Sequence, residues 1–299
     1  MENFALIGFA IIVGYVLQKL HIFPEETPNI LNKFIIYISL PAIILLQVPK
    51  LNFSFDILVP AIISWLVMGL SAVLVIVISK MFNWSKSITG SLLLVAILTN
   101  SSIMGIPIIN AYLGEEALPY VLIYDQLGTF IALAVYGAFV TAYYSSNSSI
   151  SSKVIIQKIL TFPSFLALLV ALLFLGQSFP PLLTSILTTF ANTLIPVALV
   201  AVGLQLQFKL PKNDIKPLSI ALIIKLAIAP LIAYIITITF GWNNLAGQVS
   251  IFEAGMAPMI TAGAMASMAG LAPRLSIAIV GYGILISFIT TAVISKLII

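Results

Sequence analysis

From Phe4 onward the chain is a succession of apolar runs, each about as long as a bilayer core is thick. Crossing roughly 30 Å of hydrocarbon takes about 20 residues of helix. By that measure spans fall near 4–20, 29–48, 57–79, 88–113, 117–144, 154–176, 181–205, 217–240, 245–269 and 274–298. Composition agrees: 61% of residues are hydrophobic and 7% charged, with a mean hydropathy of +1.20. An average soluble domain is about 25% charged. The chain is therefore expected to be an all-α polytopic membrane protein, with the lipid bilayer as its surroundings. The net charge of +4 comes from cations dispersed among short loops, which does not suggest nucleic acid. Cysteine is absent, so there is no disulfide framework, thiolate chemistry or cysteine metal site. The first run follows acidic Glu2 and lacks a positive leader and a small-residue cleavage site, so it is read as a retained span.

The cations set an orientation. With the N-terminus outside, Lys19, Lys33, Lys80, Lys86, Lys153, Lys158, Lys209, Lys212, Lys216 and Arg274 all face the cytoplasm, and only Lys50 and Lys296 lie at external loops or ends. Both termini are accordingly placed outside an inner (plasma) membrane. The most polar stretch, Ser145 to Ser152, divides the chain into 1–145, a short cytoplasmic hinge at 146–152, and 153–299. Five spans per half require the second half to insert upside-down, so the expected architecture is ten helices in two inverted five-helix repeats.

Two spans carry interruptions. The fourth contains Thr99-Asn100-Ser101-Ser102-Ile103-Met104-Gly105-Ile106-Pro107, and the ninth contains Glu253-Ala254-Gly255-Met256-Ala257-Pro258. In lipid, a broken helix survives only where protein or a water-filled cavity satisfies its backbone. Such breaks in corresponding halves point to a transporter binding site. The halves share further punctuation: Pro41 in the second span matches Pro196 in the seventh, at an offset close to that between Pro107 and Pro258.

The run Asn100-Ser-Ser-Ile-Met-Gly105-Ile-Pro107, followed by Gly114-Glu-Glu, resembles the signature of the auxin efflux carrier family. Leu122-Ile-Tyr124-Asp-Gln126 is similar to that family's fifth span, and Ala257-Pro258 with the small residues up to Gly270 and Ala272-Pro273 to its ninth. The resemblance runs end to end and is specific in the fourth and ninth spans. It implies a fold related to the bile-acid sodium symporters. Spans 1, 2, 6 and 7 would form a scaffold, through which the chain could form a homodimer. Spans 3–5 and 8–10 would form a moving, elevator-type transport domain that holds the crossing broken helices. The short hinge matches the prokaryotic, malonate-transporter-like members and gives no basis for auxin as substrate.

A charge at mid-bilayer costs about 2.5–3.5 kcal/mol even on a lenient scale, so each is a functional hypothesis. Asp125, Lys225 and Glu253 qualify. The half-helix N-termini expected at Pro107 and Pro258 would suit an anion, and the C-terminal carbonyls of the preceding halves a cation. Asn100, Ser101, Gly105, Pro107, Gly255 and Pro258 are the expected substrate-binding residues. Glu253, Asp125, Gln126, Thr129 and Lys225 are the expected ion-coupling residues. By analogy with the symporters, Na⁺ would lie at Asn100, Ser101 and Glu253; alternatively, Glu253 or Asp125 takes up a proton. Lys225 would pair with a carboxylate or attract the substrate. No other cofactor is implied.

Some features read as structural or incidental. His21 sits beside Lys19 in a loop, Val280-Gly-Tyr-Gly283 lacks the context of a potassium filter, and the Asn-x-Ser triplets at Asn52, Asn83 and Asn147 reflect a Ser-rich chain. The sequence points to a secondary transporter of a small organic anion, working by alternating access. The other readings are a channel or structural membrane protein, and a membrane-embedded enzyme. The enzyme would need clustered acids or histidines that this chain lacks.

Overall fold

A computed structural model describes residues 2–51, 54–145, 152–206 and 214–298, and every regular element among them is helical. Most of the expected hinge, Lys209, Lys212, Asn52 and Asn147 lie outside the described residues. In chain order the helices are α1 (Glu2–Lys19), α2 (Thr27–Lys50), α3 (Phe55–Met81), α4 (Lys86–Val95), α5 (Ser101–Leu113), α6 (Glu115–Tyr144) and α7 (Ser152–Leu160). They continue with α8 (Pro163–Leu173), α9 (Pro181–Gln205), α10 (Ile215–Thr239), α11 (Leu245–Ala254), α12 (Ile260–Met268) and α13 (Pro273–Ile298). Six stretches, α2, α3, α6, α9, α10 and α13, are long and apolar enough to cross a bilayer. The other expected spans are covered by shorter helices.

The sixth expected span is split where the sequence reading has it continuous. Phe162 adopts an extended conformation (φ −77°, ψ 121°) between α7 and α8. Pro163 imposes this, since its ring disfavours the helical region for the residue before it. The fourth and ninth expected spans are broken as anticipated, between α4 and α5 and between α11 and α12. The first break lies at 96–100, however, upstream of Pro107.

Proline explains the difference. Pro41, Pro107 and Pro230 each follow a widened π-helical turn, at Ile35–Ser39, Ser101–Gly105 and Ile224–Ile228. In each case the amide just before the proline reaches back five residues, from Leu40 to Ile35, Ile106 to Ser101, and Ala229 to Ile224. A mid-helix proline clashes with the carbonyl four residues back and donates no hydrogen bond. The wider turn relieves the clash and lets the helix continue. Pro107 thus sits inside a continuous α5.

Contacts join the loops at two ends of the bundle. At one end Ser87 Oγ donates to Gly270 O and accepts from Ala272 N, while Lys216 lies over the Phe82 ring. At the other, Gly176 N donates to Pro49 O and Phe55 packs on Trp242. Between them α1 crosses α9 at Gly14 and Gly203. A Cβ on Gly14 would collide with the Val200 carbonyl, and one on Gly203 with the Ile11 carbonyl, so two backbones touch here. Ile7, Ala10, Leu199 and Val202 close the same contact in a dry core.

Candidate functional site

The two broken segments meet. Thr99 and Pro258 face each other as an isolated antiparallel pair. Asn100 N donates to Ala257 O at 3.0 Å, and Met259 N donates to Leu98 O at 2.9 Å. Each break therefore satisfies backbone groups of the other, which is how unwound chain persists at this depth. The chain ends of four half-helices converge here: the C-termini of α4 and α11 and the N-termini of α5 and α12.

Polar side chains gather around the crossing. Lys225, carried by the π-helical turn of α10 and almost fully buried, donates from Nζ to Thr99 Oγ1 at 2.6 Å and to Ala254 O at 2.8 Å. It thereby binds one break to the C-terminal carbonyl of the half-helix leading into the other. A cation at that end is favoured by the helix dipole. Glu253 is fully buried and neither carboxylate oxygen has a hydrogen-bond partner. Its carboxylate lies against Gly105, where a Cβ would collide with it. Lys225 is held on the carbonyl of the next residue, Ala254.

Asp125 is held differently. The π-helical stretch Tyr124–Phe130 of α6 carries it, and Trp65 of α3 donates to a carbonyl of that stretch, Leu127 O, at 3.0 Å. Ser101 Oγ and Ser102 Oγ donate to Asp125 Oδ1 at 2.5 and 2.9 Å, and Gln126 Nε2 donates to Oδ2 at 2.6 Å. Asn100 Nδ2 and Gln126 Oε1 are buried without partners. Asn100, Ser102, Asp125 and Gln126 line a cavity of about 120 Å³, together with Ile260 and Thr261 from the first turn of α12. Its opposite wall is apolar: Ile36 and Leu40 of α2, Phe130, and Phe162, which stacks on Phe130 at 4.1 Å between centroids. Room for a few water molecules, or for a small solute in their place, lies beside the N-termini of both α5 and α12.

The structure thus brings Asn100, Ser101, Gly105, Asp125, Gln126, Lys225, Glu253 and Pro258 into one region. Thr129 is buried on the same stretch as Asp125 but does not line the cavity. Pro107 is buried within α5 and does not line it either. Gly255 faces elsewhere: its added Cβ would meet Ile294 and Pro230. Pro258 packs on Gly283, where a Cβ would strike the proline ring, which gives a packing role to the glycine of Val280-Gly-Tyr-Gly283. Sequence reasoning missed Thr99 as the acceptor for Lys225, and Thr261 in the cavity wall. The position of Thr99 beside Asn100 was the only signal for the first. Among the described residues no three His, Cys, Asp or Glu side chains gather as a metal site.

Similar chains place this arrangement in context. An uncharacterized transporter of Methanothermobacter thermautotrophicus is 23% identical over 259 residues, covering 86% of this chain and 84% of its own. An uncharacterized transporter of Methanocaldococcus jannaschii is 25% identical over 265 residues, covering 86% and 85%. Residues 1–295 match a family profile described as Membrane transport protein, the group of the auxin efflux carriers that Asn100–Pro107 resembles, and the chain belongs to that family.

Proposed function

We propose that the protein is a secondary active transporter of a small organic anion, bound at the crossing of the two broken helices and carried by alternating access. The observation that carries this reading is the 120 Å³ cavity, walled by the first turns of both α5 and α12 and by the unpartnered Asn100 Nδ2. Free N–H groups at two helix N-termini and an unspent amide donor suit a carboxylate. A second cavity of about 620 Å³ opens toward the other end of the bundle. Leu40 lines the small cavity and Ile43, one turn on along α2, lines the large one. Three residues of helix rise roughly 4.5 Å, so a thin septum separates the two along α2. That is the arrangement expected of a path open to one side at a time.

The inverted-repeat and elevator reading has its own support. The segments around the matched prolines meet in pairs: Ser39 Oγ bonds Thr193 Oγ1 at 2.7 Å beside Pro41 and Pro196, and Thr99 pairs with Pro258. Helices α1, α2, α7, α8 and α9 would form the scaffold and any homodimer contact, with both termini outside an inner membrane. The crossing moves with the other helices.

The coupling ion in this reading is a proton. Asp125 puts a carboxylate in the wall of the cavity, and a second carboxylate 4 Å away would cost about 4 kcal/mol at an effective dielectric of 20. A proton on Asp125 removes that cost, so solute and proton bind together. Sodium fits less well, because Lys225 already places an ammonium at the crossing, on the Thr99 hydroxyl beside Asn100 and the Ala254 carbonyl beside Glu253. Proteoliposomes loaded with separate pH and sodium gradients test both points. A pH gradient is expected to drive uptake of a mono- or dicarboxylate, and Asp125→Asn to abolish that drive while leaving solute exchange. Absence of gradient-dependent flux across a panel of such carboxylates, with folded protein, would sink the proposal. Flux driven by sodium alone would overturn the choice of ion.

A further inference from the structure

The 620 Å³ cavity is far larger than the site at the crossing, and its wall is chemically specific. Lys50 brings an ammonium at the end of α2, and Glu115 a carboxylate at the start of α6. Four carboxamides share the wall, from Gln47, Asn110, Gln177 and Asn192. Gln47 is nine-tenths buried and its Oε1 has no partner in the protein. The terminal torsion of a glutamine is soft, so this unspent acceptor can turn toward a solute at little cost. Lys50 and Glu115 are both exposed, so the cavity carries one charge of each sign where it opens to the surface.

We infer that this cavity is a second solute site, taking a small carboxylate that also bears a hydrogen-bond donor, an amino or hydroxyl group. The solute carboxylate faces Lys50, whose ammonium has three donors and no acceptor. The amino or hydroxyl group faces Glu115 and Gln47, which offer acceptors. A plain carboxylate satisfies Lys50 but leaves the buried Gln47 Oε1 unpaired, a loss that makes a hydrogen-bonding site selective. This rests on the transporter reading only in taking the solute bound here to be the one carried onward to the crossing.

The absence of cysteine makes occupancy measurable without transport. Thr188 lines the same cavity and is exposed, so Thr188→Cys puts a single thiol in its wall. In detergent, reaction of that thiol with uncharged N-ethylmaleimide is followed with succinate, malate or aspartate, which differ by a single substituent. Malate and aspartate are expected to protect at about tenfold lower concentration than succinate, the value of one hydrogen bond to a charged group. Adding Lys50→Ala should remove protection by all three, and Glu115→Gln the advantage of malate and aspartate alone. Lys50 and Glu115 are surface residues, and unchanged thermal denaturation confirms that these variants fold. Equal protection by succinate, or none by any of the three, overturns the inference. Gradient-driven flux without protection at Thr188→Cys removes this site and leaves the transporter; protection without such flux does the reverse.

Discussion

The contact of α1 with α9 and the crossing of the two broken segments are both close approaches of backbone, and they are built on opposite principles. At the first, Gly14 and Gly203 bring two intact helices together, with Ile7, Ala10, Leu199 and Val202 of the apolar core on the same helices. Small residues let helices approach in lipid, where dispersion rather than water exclusion holds them. At the second, the helices are unwound, and the approach is held by backbone hydrogen bonds and by Lys225. Unpartnered groups remain there on Asn100, Gln126 and Glu253. The first contact has one well-packed arrangement. The second carries polar groups without partners in the protein beside a small cavity, which in the proposed reading lowers the cost of exchanging one arrangement for another when a solute or proton arrives. Frame and site are thus separable, and substitutions at each should fail in different ways.

The largest effect is expected at the frame. Gly203→Val would drive its Cβ into the Ile11 carbonyl and the Gly14 Cα, neither of which can swing aside as a side chain can. A loss of about 3 kcal/mol or more follows from such overpacking. The check is yield of monodisperse protein and thermal denaturation in detergent. Near-normal stability in Gly203→Val would break the comparison, because the frame would then be as yielding as the site.

At the crossing the expected losses are smaller and come with lost transport. Lys225→Met leaves Thr99 Oγ1 and Ala254 O without their donor, a cost of about 1–3 kcal/mol. It also removes the cation held on the carbonyl next to Glu253. Combining it with Glu253→Gln should therefore cost less than the sum of the two changes, with a coupling of about 0.5–3 kcal/mol in a double-mutant cycle. Strict additivity would show that Lys225 serves only to bind the two breaks together.

The frame and the site differ also in how far the sequence announces them. The apolar runs were legible because lipid permits little else, and the breaks because Gly, Pro and a buried Glu are costly inside a span. That the two breaks meet followed from the match between halves. Other features left no such trace. Gly14 and Gly203 are single small residues in apolar helices, and only the partner backbone gives them meaning. The π-helical turns that carry Lys225 and Asp125 have no strong composition of their own. A third such turn, Ser101–Gly105, carries the helix through Pro107 and leaves the fourth-span break at 96–100, since a widened turn lets proline continue a helix. Gly255 looked like part of the site because it lies beside Glu253, yet it packs against Pro230 and Ile294. Neighbours in sequence at a helix end point in different directions, and direction is fixed only by packing.

The smallest change in stability should come with a large change in function, and that pairing sharpens the comparison most. Glu253→Gln keeps the shape of the side chain, and the carboxylate it replaces makes no hydrogen bond in the fold. Gly105 leaves room beside it, so nothing need move. A shift of no more than about 1 kcal/mol is expected, since no partner is lost. Transport is expected to fall sharply, because Glu253 lies against α5 at Gly105 and beside Ala254, whose carbonyl holds Lys225. The amide has no charge to set against that ammonium. Flux under a pH gradient and thermal denaturation, measured on one preparation, give both numbers. Wild-type flux would remove Glu253 from the mechanism and leave Asp125 as the titrating carboxylate. A collapse of stability would instead make Glu253 part of the frame, with its charge needed to balance the buried ammonium of Lys225.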